Sequence, residues 1–545
     1  MLPDPDGAPP PFVNPPPPPA AYPPPIYPPV PSPGGYGAPH GYAAPRPNVY
    51  SAPPPTAPTP PYQLVPLVGK PTRVPQAIVA ILAVLALVGV AAGVGSAMFE
   101  AGPQYPDRWD PRVAKIVEFV EQHRGHEFKH PVAIYFLSPK RYAEIAGGGP
   151  DQAPPTAEEK EYSRASVAEY RALGLMQGDP DLLAANEKLQ DSGTLAFYSP
   201  EDDVVNVRGT KMTVGLRVTL AHELTHALQD QYFDLSPIAD AATADGAGAA
   251  RAVVEGDAVS VEDAYVDSLS EADRAAYEAE SSGDSDQADE DLGDVPAVVQ
   301  VLFGSYYAVG NAFVTFWQAT QNGDAELSRI DSVLRQLPIG SYQLFVPDNY
   351  LNDSEPTLAL ADVPKEGEEL FERTTLGVDL LFVMLAERID PLEALHAVDG
   401  WTGDTAVAKF DESNRMCVVE NVRFESSGPA EVFAVAANKW VAAMPSGANA
   451  SATIVGDSRQ TVTVTTCDAG KDADMKLTGR AGPALAYPVT RLQAAAGAIS
   501  NGRDYDSAWC YGDAVVSHLT PEDMQAEERT PAIDAAIAAA EDACP

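Results

Sequence analysis

Leu216, Leu220, Leu224 and Leu228 recur every fourth residue, and neither glycine nor proline interrupts residues 216–233. On an α-helix that spacing gathers the four leucines into one stripe, so the pattern predicts a helix with one buried face. A largely apolar run over 251–265 predicts a second helix soon after it. Further helices are expected over 111–122, 301–319, 374–388, 391–398, 430–444 and 531–543. Runs rich in β-branched residues predict strands at 132–137, 417–424, 452–456 and 461–466. Residues 194–198 and 204–207 flank Ser199-Pro200-Glu201-Asp202-Asp203 and read as a hairpin just ahead of the leucine-striped helix. The balance of elements predicts an α+β fold, mostly helical with a small sheet. After Trp401 short strands alternate with helices, which predicts a smaller C-terminal α+β region. No internal repeat is evident.

The longest apolar run is of a different kind. Residues 77–99 carry no charge over 23 positions. As a helix they span about 34 Å, enough for a bilayer core of about 30 Å. The run begins too far from Met1 to be a cleaved signal peptide. Lys70 and Arg73 precede it, and Glu100 and Asp107 follow it. The positive-inside rule then places the N-terminal tail in the cytoplasm and the chain beyond Phe99 outside the cell. Residues 1–75 hold 29 of the 53 prolines, which favours extended or disordered chain over a packed core. Such a tail serves either as a spacer or as a ligand for a cytoplasmic partner. The expected map is a Pro-rich tail over 1–75, a transmembrane helix over 76–99, a linker over 100–110, one domain over 111–400 and a second region over 401–545.

The leucine-striped helix carries chemistry. His222 and His226 sit four residues apart and so project from one helical face, where two imidazoles can share a metal ion. Glu223 follows the first histidine and is placed to reach a water on the metal rather than the metal itself. A metal-acidified water beside a carboxylate base suits hydrolysis of a peptide or other amide bond. His126-Glu127-Phe128-Lys129-His130 repeats the spacing, but Gly125 precedes it and Pro131 follows it. Both disfavour helix there, so these histidines are expected at a helix end running into a strand. A catalytic zinc usually takes a third protein ligand. No histidine follows His226 until His396, and the 251–265 helix buries acids among apolar residues. Glu255 is the expected ligand, with Glu262, two turns on and on the same face, in reserve. Asp257 lies about 200° round the helix from Glu255 and cannot face the same ion.

His222-Glu223-x-x-His226 with a glutamate on a following helix resembles the gluzincin branch of the zincin metallopeptidases. The flanks from Ala221 to Gln231 and Val254-Glu255-Gly256-Asp257-Ala258 also resemble zincin-like membrane proteins of actinobacteria, as do Tyr307-x-x-Gly310-x-x-Phe313-Val314 and Gly400-Trp401-Thr402-Gly403-Asp404. The resemblance covers residues 111 to 410. It implies a zincin-like metallopeptidase ectodomain, Zn2+ held by His222, His226 and Glu255, and Glu223 as general base. It also implies an edge strand above the site that aligns substrate, a part the 194–207 hairpin can fill. Many gluzincins bond the first histidine to an aspartate four residues beyond the ligand glutamate; here that position is Val259. Tyr307 is the candidate for stabilising the oxyanion.

Charge and cysteines bear on where such a site works. The whole chain carries −42, and residues 1–75 carry +1, so the charge lies beyond the tail. That excess repels nucleic acid and anionic lipid and leaves a protein or peptide as the expected substrate. Part of it falls in residues 278–294, whose Ser, Gly and Asp content predicts a solvated loop. All four cysteines follow the apolar run, which suits two disulfides in an oxidising compartment. Of the three pairings, Cys417–Cys467 with Cys510–Cys544 is preferred on chain locality. The expected function is a membrane-anchored zinc peptidase acting outside the cell. The alternative is a catalytically silent zincin scaffold that binds envelope proteins.

Overall fold

The runs read as strands pair into two sheets. The computed structural model describes residues 105–544 apart from 147–153, 192–194, 201, 236–237, 239–240, 322–329, 353, 358–363 and 527–528. The proline-rich tail, the 77–99 segment and linker residues 100–104 lie outside the described residues. Strands β1 (Ala133–Leu137), β2 (Ala196–Ser199) and β3 (Val204–Arg208) form a sheet in the order β1-β3-β2. β1 runs parallel to β3, and β2 pairs antiparallel with β3 as the expected hairpin. Strands β4 (Glu369–Thr374), β5 (Trp401–Phe410), β6 (Met416–Phe424), β7 (Ser451–Val455) and β8 (Thr461–Cys467) form an antiparallel sheet in the order β4-β5-β6-β8-β7.

Helices of eight residues or more are α1 (Ala114–Arg124), α2 (Pro139–Ala146), α3 (Ala157–Ala172), α4 (Leu182–Asp191), α5 (Val214–Tyr232), α6 (Ala244–Ser268) and α7 (Glu271–Leu292). They continue as α8 (Ala297–Thr320), α9 (Gly377–Ala386), α10 (Pro391–Val398), α11 (Ser427–Ala443), α12 (Ala486–Ser500), α13 (Tyr505–Val516) and α14 (Pro531–Ala543). The fold is α+β, helix-rich with small sheets.

The leucine stripe does what its spacing predicts. Leu216, Leu220, Leu224 and Leu228 are all buried, in a core shared with Ile116, Val117 and Val120 of α1 and Val205 and Val207 of β3. Thr213 caps α5 by accepting a hydrogen bond from the Leu216 N–H at 3.1 Å. On its other side α5 meets α6, and α6 packs along α8. That second crossing is unusually close. A Cβ at Gly256 would lie 2.3 Å from the Gly310 carbonyl carbon, and one at Gly310 would lie 1.9 Å from the Ala252 oxygen. Two facing glycines therefore let the helix backbones touch, which fixes Glu255 on α6 against Tyr307 on α8. α8 is long and apolar enough to cross a membrane by composition, but 56% of its most apolar window is buried inside the fold.

Several expectations need correction. Residues 278–294 do not form a loop: α7 runs unbroken to Leu292. Serine and glycine lower helix propensity, but no proline falls between 271 and 295, and buried Leu292 and Val295 anchor the far end. The helix expected over 374–388 begins only at Gly377, because 369–374 is spent on β4. Gly377 takes φ 75°, and the Asp404 carboxylate accepts the Leu376 and Gly377 N–H groups at 2.7 and 3.3 Å. Strand β5 was not foreseen, nor were α2, α3, α4, α12 and α13. The β4–β5 pairing and the packing of α8 against α12 both cross the 400/401 boundary drawn from sequence. The two disulfides are those preferred on locality, Cys417–Cys467 between β6 and β8 and Cys510–Cys544 between α13 and the residue after α14.

Candidate metal centre

The two histidines of α5 and one glutamate of α6 converge. His222 Nε2 and His226 Nε2 lie 3.4 and 3.5 Å from Glu255 Oε2. Ligand atoms of all three residues fall within 4.8 Å of one another, room for one ion bonded to each. His222, Glu223, His226 and Glu255 are 1, 0, 3 and 0% exposed. At that depth an unpaired polar atom is costly. Yet His222 Nε2, His226 Nε2, Glu223 Oε1 and both Glu255 oxygens have no hydrogen-bond partner. The imidazole and carboxylate set suits a divalent transition-metal ion by its chemistry. The residues present therefore fit one divalent ion, which His222, His226 and Glu255 would hold.

The opposite edge of each imidazole is held. His222 Nδ1 lies 3.1 Å from Glu262 Oε2. Glu262 thus holds the first histidine by its outer edge and lies outside the His222, His226 and Glu255 cluster. His226 Nδ1 lies 2.9 Å from Gln229 Oε1, while Gln229 Nε2 donates to Asp257 Oδ2 at 2.7 Å and to the Val254 carbonyl at 3.0 Å. Asp257 is paired in turn with Arg124 at 3.2 Å, and Arg124 with Asp331 at 3.0 Å. Such outer partners fix ring orientation and leave Nε2 as the atom offered to a metal.

Glu223 projects beside the centre. Its Oε2 accepts the Tyr198 N–H of β2 at 2.8 Å, which leaves Oε1 free to face the site. β2 is an edge of its sheet, so the hairpin read from sequence does lie against the metal helix. Burial pushes the Glu223 carboxyl up, and His222, His226 and the Tyr198 N–H pull it back, to about 7. Burial also opposes ionisation of Glu255, but His226 and His222 outweigh it and hold that carboxyl at about 2. For His222, burial disfavours the charged ring, yet Glu255 and Glu262 outweigh it and raise the imidazole well above its usual range. A proton and a metal therefore compete for the same nitrogen.

Tyr307 joins the cluster. Its ring stacks on His222 with centroids 6.4 Å apart and planes 24° apart. Burial, then the negative charge of Glu255 and Glu223, drives its hydroxyl well above the usual phenol range, so it stays protonated as a donor. The competing motif is not a second centre. Gly125 ends α1 with φ 68°, as its sequence implied, and His126 Nε2 pairs with Asp331 Oδ2 at 2.6 Å. His126 thus ends the chain of contacts that begins at His226. Asp257 faces away from the centre, as the helical angle required. The Gln229 contact had a signal in sequence, three residues from His226 on one helical face. Arg124 and Asp331, far apart in the chain, had none.

No protein-family model matches this chain, and no curated protein and no solved structure matches it.

Proposed function

We propose that the chain is a membrane-anchored, zinc-dependent peptidase that hydrolyses peptide bonds outside the cell. The observation that carries this is the convergence of unpartnered His222 Nε2, His226 Nε2 and Glu255 oxygens on one point, with Glu223 Oε1 beside them. His222, His226 and Glu255 would hold the ion. Zinc, when bound, supplies Lewis-acid polarisation and acidifies water near neutral pH. The chain's own residues do the rest. Glu223 Oε1 takes a proton from water and returns it to the leaving amine. The Tyr198 N–H steadies the other Glu223 oxygen during that exchange. Tyr307 donates its hydroxyl towards the carbonyl oxygen of the bond being cut. Glu262 and Gln229 keep the two imidazoles in register. The uncharged run over 77–99 supplies the anchor, and its flanking charges support the outward orientation.

A second reading is a silent zincin scaffold of the envelope. The burial of all four central groups to 3% exposure or less favours it, because substrate must reach a catalytic ion. Substituting Glu223→Gln separates the two. The variant should keep its zinc and lose peptide-library cleavage by about 10² to 10⁴. Zinc-loaded wild type that cleaves nothing in a broad library moves the assignment to the scaffold. Labelling of introduced cysteines on intact cells tests orientation: sites beyond Phe99 should react, and sites before Pro75 should not.

A further inference from the structure

A cavity of about 770 Å³ adjoins the metal centre along the same two helices. Arg251, one turn before Glu255 on α6, lines it, as does Tyr306, the neighbour of Tyr307 on α8. Phe303 lines it too, with its ring centroid 5.6 Å from that of Tyr307. The far wall comes from α3 and β4, through Tyr162, Glu169, Tyr170 and Glu372.

Charge within this space is unbalanced. Arg251 lies 5.7 Å from the centre of the Tyr306 ring, where Asp245 and Asp379 also act. That end has both signs of charge. The α3 end has only one. Glu372 accepts a hydrogen bond from the Tyr162 hydroxyl at 3.1 Å, and the Glu169 carboxyl receives no hydrogen bond among the described residues. No lysine or arginine among the described residues pairs with either glutamate. Burial, then repulsion from Glu372, lifts the Glu169 carboxyl to about 7. Two like charges share a space that bulk water does not fully screen. The rings of Tyr162, Tyr170 and Tyr306 line that space with π faces, which attract cations.

We propose that this cavity binds an amphipathic cation, the side chain of a lysine or arginine in a peptide, with its charge between Glu169 and Glu372. Identifying the ligand as a peptide rests on the peptidase reading; the preference for an amphipathic cation does not. An arginine or lysine stem would run along Phe303 and the tyrosine rings while its charged head relieves the carboxylate repulsion. The cavity would then select a basic residue beside the bond presented to the metal centre.

The test uses the full chain in detergent and calorimetric titration with benzamidine, a planar aromatic cation, against benzamide, its neutral counterpart. Benzamidine should bind about tenfold tighter or more. In Glu169→Gln/Glu372→Gln that discrimination should vanish while the melting temperature stays near wild type. Glu372→Gln alone, at a half-exposed position, should lose part of it and guards against misfolding of the double variant. Glu223→Gln should bind benzamidine as wild type does, so failure of the peptidase chemistry leaves this readout intact. N-acetyl-arginine amide should compete with benzamidine, and N-acetyl-citrulline amide should not. Equal binding of benzamidine and benzamide, or no binding of benzamidine, overturns the cation site. Failure of the arginine amide to compete overturns the peptide assignment.

Discussion

Replacing Gly310 by alanine should destabilise this protein, although alanine is the better helix former by about 1 kcal/mol. The added Cβ would stand 1.9 Å from the Ala252 carbonyl oxygen and 2.7 Å from its carbon, where ordinary contact begins at 3.4 Å. Both contacts are backbone, so no side chain can rotate away. α6 and α8 must part by roughly 1.5 Å at the crossing, and overpacking of that kind costs about 1–3 kcal/mol or more. The net loss should be up to about 2 kcal/mol or more after the propensity gain is subtracted. Gly304 lies on the same helix with nothing within 4 Å of its would-be Cβ. Gly304→Ala should therefore stabilise, by up to about 1 kcal/mol. Thermal unfolding followed by circular dichroism reads both changes at about 1 °C per kcal/mol. If α6 gives way at the crossing, Glu255 is displaced relative to His222 and His226 on α5. Zinc sites tolerate only about 0.2 Å in ligand distance, so Gly310→Ala should lose metal affinity as well. Gly310→Ala melting at or above wild type, or moving in the same direction as Gly304→Ala, would refute the close crossing.

Two further outcomes follow from the buried acids. The protein should bind about one zinc per chain, with binding severely weakened in His222→Ala, His226→Ala and Glu255→Ala but not in His126→Ala or His130→Ala; elemental analysis of the purified variants decides it. Glu420 and Asp404 are buried together in the large sheet, and burial followed by the neighbouring Asp404 carboxylate raises Glu420 well above its usual value. Its stability contribution is complete below the unfolded pKa of about 4.3 and is lost as pH rises towards the folded value. Wild type should thus lose stability between pH 5 and 8 more steeply than Glu420→Gln, which keeps a neutral donor; parallel melting curves across pH would exclude that role.

The elements with strong periodicity were legible in the sequence, and those that depend on distant partners were not. α10 and α14 match their expected ranges, and the leucine stripe, the hairpin and the cysteine pairing all appear as read. At the centre, His222, His226 and Glu255 were legible because helical geometry places i and i+4 on one face and because a buried glutamate needs a partner. The cavity was not legible. Its walls come from α3, α4, α6, α8 and β4, and three of those elements were expected late or not at all. α7 was misread for a related reason: its residues favour solvent individually, while its helix is secured by Leu292 and Val295 at one end. β5 was missed because its burial on nearly every position erases the alternation that marks a half-exposed strand.

Glu255 and Glu420 pose one electrostatic problem and meet it in opposite ways. Both are glutamates buried in the interior, and no N–H or O–H donates a well-formed hydrogen bond to the oxygens of either one when it is ionised. Leaving such a carboxylate charged and alone in the interior costs several kcal/mol, by order of magnitude. Beside Glu420 stands another acid, Asp404, so the cheaper state adds a proton, and the raised pKa expresses that. Beside Glu255 stand two imidazoles, and its carboxyl is held at about 2, so it remains charged. One proton on His222 Nε2 can serve that nitrogen and Glu255 Oε2, 3.4 Å away, but it leaves His226 Nε2 without a partner. A single divalent cation can serve all three, and it removes three unpartnered atoms at once. The arrangement of Nδ1 contacts points the same way, since Glu262 and Gln229 hold the Nδ1 edges and turn each Nε2 inward toward Glu255. Buried acids alone do not argue for a metal in this chain, as Glu420 demonstrates; buried acids facing two inward imidazole lone pairs do.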